Sequence, residues 1–491
     1  MSLLVFISVI VLIVLFYYNL KSVKYPPGPI ALPYFGNIIT IKKLSKKFNG
    51  LQGAFIELSK QYRTDVLSVS MSGEYSVVVQ GKELIDEVLR GDEFQGRPNN
   101  FFIKLRSMGA RRGITMTDGP LWKEQRAFAF KHLHEHGLGT QKMDDMLQRQ
   151  LQEMLSKLNE GVLSNLVLKQ YVSKCVLNVL WEMVTGSSFQ DEETMTSLIS
   201  LMEARSKAFD ISGGLLSQFP WIRYIFPKYS GYNLIQTLNR KFKEMIMGII
   251  EHHKKTIVKG HSRDFIDAFL HEMNENPTSS SFTDEQLVMV CLDFFIGGSQ
   301  TISGTLDYCF LYMTMYKDVQ EKVQKELDDI LLPGQSPSRN NKNKCPFVEA
   351  VISEVLRISP IISLLGPRRT TCDTFLSGYF IPKDTTVYLN FKTVHDSSKH
   401  WEDPGKFKPE RFLNEEGTVK QEQTLYNFGR GKRRCPAEVL ARTALFILFS
   451  GVLHNLKLEP ADEKDPLSLR QVPGITTSAA EYYIKLTRRH K

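Results

Sequence analysis

Long stretches in which apolar residues recur every three to four positions constrain the fold of this chain most, because that spacing produces helices with one buried face. These stretches cover residues 141–185, 231–257, 284–330 and 345–358. Shorter β-type stretches cover residues 66–71, 75–80 and 385–390. The 491 residues contain no internal repeat and no second type of composition. The sequence therefore predicts a single large domain that is mainly α with a small β region.

The N-terminus has the pattern of a membrane-spanning helix. Residues 3–18 are apolar apart from Ser8, and at about 1.5 Å per residue this run and its neighbours nearly cross the roughly 30 Å hydrocarbon layer. Lys21 and Lys24 follow the run and no basic residue precedes it, which places the rest of the chain in the cytosol. A cleaved secretory peptide would need a basic start and a small-residue cleavage site, and the sequence has neither. We expect a single transmembrane signal anchor at 1–20.

The segment YPPGPIALPYFGN follows the apolar run and contains four prolines. Prolines favour an extended, semi-rigid backbone and cannot continue a helix. We expect a proline-rich hinge at 21–36 that holds the following domain, residues 37–491, at a fixed angle to the bilayer. A plain linker is the alternative.

One cysteine stands in the basic segment FGRGKRRCPA, residues 428–437. The neighbouring cations favour the thiolate form of Cys435, which would serve as a nucleophile or as the axial ligand of a haem iron. A nucleophile needs a base, and no histidine lies in the local sequence. A haem needs donor groups for two propionates from distant segments. The six cysteines contain no CxxC pair, so neither a disulfide framework nor a zinc site is indicated.

Donor groups of the required kind occur elsewhere in the chain. Trp122 and Arg126 in WKEQR fall on one helix face, and they offer an N–H and a charged fork to carboxylates. Arg97, Arg368 and Arg433 would complete the set. Each arginine taken alone could equally have a surface or salt-bridge role.

A second set of charges indicates a buried network. Glu354 and Arg357 in EVLR share a helix face, and Arg411 in FKPERF is the candidate third member. Without Arg411, the pair would be read as a routine surface ion pair.

Together these motifs resemble those of a membrane-bound cytochrome P450, a haem-thiolate monooxygenase. FGRGKRRCPA is similar to the cysteine-ligand loop of that family, EVLR to its K helix, FKPERF to the following meander, WKEQR to its C helix and GGSQTISGT to its oxygen-activating I helix. The resemblance covers nearly the whole chain. It is strongest to the animal microsomal group, which includes drug-metabolising enzymes and insect enzymes that make hormones.

The resemblance implies a haem b cofactor (iron protoporphyrin IX) whose iron is bound by the thiolate of Cys435. Phe428 would shield the sulfur, and the N–H groups of Ala437 and Glu438 would hydrogen-bond it, since Pro436 has no N–H. The propionates would be held by Arg97, Trp122, Arg126, Arg368 and Arg433.

Four further residues would support the ligand loop. The resemblance implies that Gly431 permits its tight turn, and that Glu354, Arg357 and Arg411 brace it.

On the opposite side of the haem, the resemblance implies a catalytic role for Thr301 and Gln300. The Thr301 hydroxyl would hold a proton-relaying water, and a bond from that hydroxyl to its own helix is compatible with this role. Gln300 stands where the family usually has an acid, and a neutral amide orients water but does not titrate. Proton delivery would therefore rely on Thr301 and solvent.

The chain has no nucleotide-binding fingerprint and no flavin domain, so the resemblance implies electrons from a separate NADPH–cytochrome P450 reductase, with cytochrome b5 as an additional donor. NADPH would be used only indirectly. The net charge of +9 suits an acidic protein or an anionic membrane face, and no nucleic-acid motif accompanies it. The expected docking residues are Lys123, Lys131, Lys432 and Arg434. We expect the protein in the endoplasmic reticulum membrane with its domain in the cytosol.

The substrate contacts implied by the resemblance are all apolar or aromatic, which favours a lipophilic substrate. They are Phe101, Phe102, Ile103, Ile114, Phe295, Ile296, Leu364, Leu365 and Ile475. One oxygen atom of O2 would be inserted by hydroxylation or epoxidation, in hormone or lipid metabolism or in xenobiotic oxidation. Two alternatives keep the fold: a peroxide isomerase or dehydratase that needs no electrons, and a haem-binding sensor without turnover.

Overall fold

The computed structural model describes residues 24–71, 74–158, 163–276, 281–420, 424–462 and 467–490. The predicted anchor at 1–20 and the first residues of the hinge lie outside the described residues. The described part is mainly helical with a small β region, which confirms the predicted fold class.

The helices fall into a few long elements and several short ones. They are α1 (Ile38–Lys47), α2 (Leu51–Tyr62), α3 (Lys82–Arg90), α4 (Phe101–Arg106), α5 (Gly119–Glu135), α6 (Gln141–Leu158), α7 (Leu168–Thr185), α8 (Glu192–Ala208), α9 (Gly214–Gln218), α10 (Ile222–Ile225), α11 (Tyr232–Thr256), α12 (Phe265–Glu275), α13 (Asp284–Met315), α14 (Lys317–Asp328), α15 (Pro346–Ile358), α16 (Lys392–His395) and α17 (Glu438–Asn455). Short 3-10 turns occupy Asp92–Phe94, Arg339–Lys344, Pro409–Phe412 and Gly431–Arg433.

The strands form small sheets at the edge of the helical body. They are β1 (Val66–Met71), β2 (Glu74–Val79), β3 (Leu163–Leu166), β4 (Leu364–Arg369), β5 (Thr374–Leu376), β6 (Tyr379–Ile381), β7 (Thr386–Asn390), β8 (Leu456–Pro460), β9 (Gln471–Val472), β10 (Ser478–Ala479) and β11 (Ile484–Arg488). The largest sheet has the order β1-β2-β7-β4, with β2 and β7 parallel and its other pairs antiparallel. A second sheet has the order β3-β11-β8, and β5–β6 and β9–β10 form antiparallel pairs.

Helix α13 is the centre of the helical body. It packs against α7, α11, α15 and α17, and most of its side chains are buried. Among the described residues it is the one helix long and apolar enough to cross a membrane. Its burial among other helices accounts for that apolar composition, because a helix that is apolar all round needs neighbours on every face.

Two predicted helical stretches are divided in the structure. The stretch 141–185 forms α6 and α7 with strand β3 between them, because β3 pairs with β11 and Asn165 adopts a left-handed backbone (φ 60°). The stretch 284–330 is interrupted at Tyr316, whose backbone leaves the helical region while its ring packs on Phe407 at 5.0 Å. The stretches predicted at 231–257 and 345–358 form the single helices α11 and α15.

The predicted charge network is present and buried. Arg357 donates to both carboxylate oxygens of Glu354, at 2.7 and 2.8 Å, and both side chains are 0% exposed. Arg411 donates to Glu354 at 3.1 Å. The remaining donors of Arg357 bond the carbonyls of His395 and Pro404, each at 2.9 Å. Because every charge has a partner, the network fixes α15 to the segment that leads to the cysteine loop.

The described part of the hinge lies against the domain. The carbonyl of Pro27 accepts from the N–H of Ser68 on β1 at 2.9 Å. The Asn37 side chain donates to the carbonyls of Pro29 and Ile30, at 3.2 and 3.0 Å. These bonds fix the direction in which the chain leaves the domain.

Candidate functional site

A cavity of about 190 Å³ lies between α13 and the cysteine loop. Helix α13, strand β4, the segment before β4 and the start of α17 form its walls. It is lined by Arg97, Gly297, Gly298, Thr301, Ile302, Thr305, Leu356, Ile361, Ile362, Leu365, Arg368, Asn427, Phe428, Gly429, Arg433, Cys435, Ala437, Ala441 and Leu445. The structure thus brings together residues that the sequence places more than 300 positions apart.

The cysteine loop is a compact turn held by its own backbone. The N–H of Cys435 donates to the carbonyl of Phe428 at 2.7 Å. Gly429 and Gly431 have φ angles of 65° and 67°, in the region that favours glycine. A Cβ on Gly431 would collide with the carbonyl oxygen of Leu89 on α3, whereas a Cβ on Gly429 would meet nothing within 4 Å. The expected need for glycine at Gly431 is therefore confirmed, with the loop's contact with α3 as its reason.

Burial dominates the environment of the Cys435 sulfur. It raises the pKa of the thiol, while a hydrogen bond from the Ala437 N–H and the charges of Arg126 and Arg434 act in the opposite direction. Of the cations expected to favour the thiolate, Arg434 does so, but burial acts more strongly in the opposite direction. A metal ion bound at the sulfur would favour the deprotonated form.

Three basic residues of the loop form ion pairs with carboxylates. Arg430 binds Asp86 at 2.8 Å, and Lys432 binds Asp92 at 2.5 Å. Arg434 binds Glu438 at 2.7 Å. These ion pairs hold the loop to α3, to the 3-10 turn that follows it and to α17.

Three other arginines line the cavity without a carboxylate partner among the described residues: Arg97, Arg368 and Arg433. Their partners are neutral: the carbonyl of Pro367 for Arg97, and the side chain and carbonyl of Gln95 for Arg368 and Arg433, at 2.7 to 2.8 Å. In each guanidinium the Nε is buried and has no partner.

The electrostatics of these arginines show the same deficit of negative charge. Burial, followed by the charge of Arg97, lowers the pKa of Arg368 to about 8 and that of Arg433 to about 8. Burial lowers the pKa of Arg97 to about 10. Three clustered cations with free N–H donors would bind a ligand that carries carboxylates. The two propionates of a haem are such carboxylates.

Trp122 and Arg126 support the cluster from α5. The guanidinium of Arg433 lies 3.6 Å from the centroid of the Trp122 ring. Arg126 donates to the carbonyl of Arg434 at 2.7 Å. Neither Trp122 nor Arg126 lines the cavity. Instead, Trp122 contacts the guanidinium of Arg433, and Arg126 contacts the backbone of the loop.

On the other side of the cavity, α13 presents small residues. A Cβ on Gly297 would meet nothing within 4 Å, whereas a Cβ on Gly298 would meet Leu180 at 2.8 Å. Gly298 thus permits the packing of α13 on α7, and Gly297 leaves space at the cavity. The Thr301 hydroxyl lines the cavity and donates to the carbonyl of Gly297 at 2.8 Å. Gln300 is buried, does not line the cavity, and its Nε2 has no partner.

Of the nine expected substrate contacts, Leu365 lines the cavity. Phe102 and Ile103 are buried in a separate hydrophobic cluster, against which Phe101 and Ile475 pack. Ile361 and Ile362 line the cavity and were missed from the sequence. They lie in the short segment between α15 and β4, which carries no periodic pattern and no motif.

Comparisons with known proteins agree with this site. A family model described as Cytochrome P450 matches residues 26–486. A probable cytochrome P450 305a1 of Drosophila melanogaster is 37% identical over 505 residues, with both chains covered completely. A farnesoate epoxidase of Bombyx mori is 33% identical over 97% of both chains, and cytochrome P450 2J2 of Homo sapiens is 32% identical over 94% of this chain and 90% of its own.

The chain belongs to the cytochrome P450 family. It is a haem-dependent monooxygenase that inserts an oxygen atom of O2 into a lipophilic substrate, and its microsomal relatives imply membrane association and a partner reductase. The two alternative functions, an isomerase or dehydratase and a sensor, receive no support from these relatives.

The contact between the cysteine loop and α3 generates a stability prediction. Gly429→Ala introduces a positive-φ alanine and is expected to destabilise the fold by about 1 kcal/mol. Gly431→Ala adds the collision with Leu89 and is expected to be worse by about 1–3 kcal/mol. The measurement is urea unfolding followed by haem absorption. Equal unfolding midpoints for the two variants would show that the Leu89 contact does not constrain the loop.

Proposed function

We propose that the Cys435 thiolate would bind the iron of a haem held in this cavity. The supporting observation is that its sulfur and the three carboxylate-free arginines face the same cavity, since a haem carries both a metal ion and two carboxylates. The bound haem supplies the iron at which O2 is reduced and activated, and a thiolate ligand favours cleavage of the O–O bond. The Ala437 N–H tunes the electron donation of the sulfur through its hydrogen bond.

The propionates are assigned to Arg97, Arg368 and Arg433. Each guanidinium retains a free buried donor for a carboxylate oxygen. Trp122 orients Arg433 through its ring face, and Arg126 holds the loop backbone. Phe428 shields the sulfur from solvent, with the guanidinium of Arg442 4.7 Å from its ring centroid.

Proton delivery is assigned to the Thr301 hydroxyl. This hydroxyl donates to Gly297 and so keeps its lone pairs available to accept from a water in the cavity. Gln300 does not titrate, and its amide is buried outside the cavity lining, where its Nε2 has no partner among the described residues. The site therefore transfers protons from solvent through Thr301 without an acidic side chain at position 300.

Replacing the Thr301 hydroxyl tests this assignment. Thr301→Val is expected to lower product formed per NADPH consumed by up to about 100-fold, because one proton-transfer group is lost. Ser303→Ala is the matched control, since Ser303 lies on the same helix and donates to its own backbone at 2.8 Å but does not line the cavity. Gln300→Glu should retain activity. Equal loss of coupling in the Thr301 and Ser303 variants, measured with a fluorogenic alkoxycoumarin, would contradict the assignment.

The electron donor is proposed to be NADPH–cytochrome P450 reductase, with cytochrome b5 as a further donor. A groove of about 1020 Å³ outside the cysteine loop is lined by several cations. These are Arg90, Lys342, Lys420, Arg430, Arg434 and Arg442. Of the expected docking residues, Lys123 and Lys131 are exposed on α5 and have no ion pair among the described residues. Lys432 and Arg434 form ion pairs with Asp92 and Glu438. An acidic flavoprotein is the partner that this surface complements.

Charge reversal separates docking from chemistry. The double variant Lys123→Glu, Lys131→Glu is expected to lower reductase-driven turnover about tenfold at low salt, because electrostatic steering is lost. Peroxide-driven turnover should be unchanged. Lys255→Glu, at an exposed site on α11, is the control. Equal losses in the reductase-driven and peroxide-driven assays would overturn the docking proposal.

We place the protein in the endoplasmic reticulum membrane, anchored by residues 1–20, with residues 37–491 in the cytosol. An exposed apolar surface supports the membrane orientation. Trp221 of the α9–α10 segment donates to the Tyr34 hydroxyl at 2.7 Å, and Phe219 packs on the rings of Tyr34 and Phe35. Ile30 is 88% exposed beside this surface. The hinge and α9–α10 thus present one apolar face, which suits the acyl boundary of a bilayer.

The substrate class is proposed to be an isoprenoid or related lipid rather than a broad set of xenobiotics. The relative named farnesoate epoxidase supports this preference. The cavity wall opposite the loop is apolar, with Ile302, Ile361, Ile362 and Leu365. An unsaturated chain placed there would be epoxidised or hydroxylated next to Thr301.

A further inference from the structure

Arg205 on α8 is a buried cation without a counter-charge. Arg205 is 6% exposed. No hydrogen bond or ion pair joins its guanidinium to another described residue. Burial lowers its pKa to about 9, with Arg106 acting in the same direction and Asp293 in the opposite one. Desolvating a guanidinium is strongly unfavourable unless an anion compensates it.

Asp293 on α13 is the acid whose charge acts on Arg205. Both of its carboxylate oxygens already accept hydrogen bonds from other groups. One oxygen accepts from Arg106 of α4 in a buried ion pair. The other accepts from the N–H groups of Ile114 and Thr115, at 2.7 and 2.8 Å. The Nη1 of Arg106 is buried and has no partner. Asp293 thus compensates Arg106, and the positive charge of Arg205 remains uncompensated among the described residues.

Backbone hydrogen bonds connect the end of α8 with the cavity wall: the carbonyl of Ser206 accepts from the N–H of Ile475, and the carbonyl of Ile361, which lines the cavity, accepts from the N–H of Thr477, each at 2.9 Å. Asp293, Gly297 and Thr301 follow one another at intervals of four residues, so they occupy one face of α13. At about 1.5 Å per residue, Asp293 lies about 12 Å along the helix from Thr301. The Phe209 ring, four residues after Arg205, packs on Phe102 of α4 at 5.1 Å.

The Arg205 cluster adjoins the propionate arginines, because Arg106 and Asp293 also act on Arg97. The charged groups acting on Arg205 are Arg106 and Asp293, and none of the propionate arginines is among them. With the haem carboxylates assigned to Arg97, Arg368 and Arg433, Arg205 is left without an anion.

We propose that Arg205 and the free donor of Arg106 bind the carboxylate of the substrate, so that the enzyme oxidises a lipophilic carboxylic acid in preference to its ester or alcohol. This inference rests on the proposed monooxygenase site and adds the head group of its substrate. A guanidinium binds a carboxylate through paired, charge-assisted hydrogen bonds, and an ester offers no negative charge. With the carboxylate held about 12 Å along α13, the part of the chain remote from it reaches the cavity beside Thr301.

The test compares acids with their methyl esters on the haem-loaded enzyme. Farnesoic acid and methyl farnesoate form one pair, and dodecanoic acid and methyl dodecanoate form the other. Affinities come from spin-state titration and, independently, from calorimetry. The wild-type enzyme is expected to bind at least one acid about tenfold or more tightly than its ester.

The variants separate charge recognition from general damage. Arg205→Met removes the charge at similar volume and should abolish the preference for the acid while leaving ester binding within about threefold. Arg205→Lys keeps a positive charge and should retain part of the preference. Arg240→Met, at an exposed arginine of α11 paired with Glu244, should change neither affinity.

The inference is overturned by equal affinities for acid and ester in the wild type, by a preference that survives in Arg205→Met, or by absence of binding for both acids. None of these outcomes would affect the monooxygenase assignment, which is read separately from reductase-driven turnover of the alkoxycoumarin. Loss of that turnover in the wild type would instead contradict the proposed function.

Discussion

The site depends on the way the backbone fixes one sulfur atom. The N–H of Cys435 bonds the carbonyl of Phe428, and Gly431 brings the loop against the backbone of Leu89. Ion pairs from the loop's own basic residues to α3 and α17 complete the attachment. Three basic residues around the cysteine thus anchor the loop, while burial opposes the thiolate form of Cys435. In the proposed function, the haem iron would stabilise the thiolate, supported by the N–H of Ala437.

A second feature of the molecule is its uncompensated positive charge in the interior. Buried cations normally have partners, as Arg357 has in Glu354. Among the described residues, Arg97, Arg368 and Arg433 have no carboxylate partner around the cavity, and Arg205 has none on α8. The simplest physical account is that the partners arrive with the ligands: two carboxylates with the haem, and one with the substrate. Binding of each ligand would then relieve electrostatic strain that the folded chain carries without it.

Much of this could be predicted from the sequence because the motifs carry chemistry. Cys435, the network around Glu354 and the cavity arginines were found from residue type and spacing, and the structure brings them together. The direction of the Cys435 pKa could not be predicted, since its largest cause is burial by tertiary packing. The interruptions of the long helical stretches arise from tertiary pairing of β3 and from the packing of Tyr316, neither of which has a local signal. Arg205 reads as a surface residue of an amphipathic helix until its burial is known.

The most direct measurement is the absorption spectrum of the reduced, carbon-monoxide-bound enzyme. The account predicts a thiolate-type band in the wild type that is lost in Cys435→Ala and retained in Cys372→Ala, whose cysteine is exposed. If Cys435→Ala held the haem equally well with unchanged bands, Cys435 would not be the iron ligand and the account would be wrong.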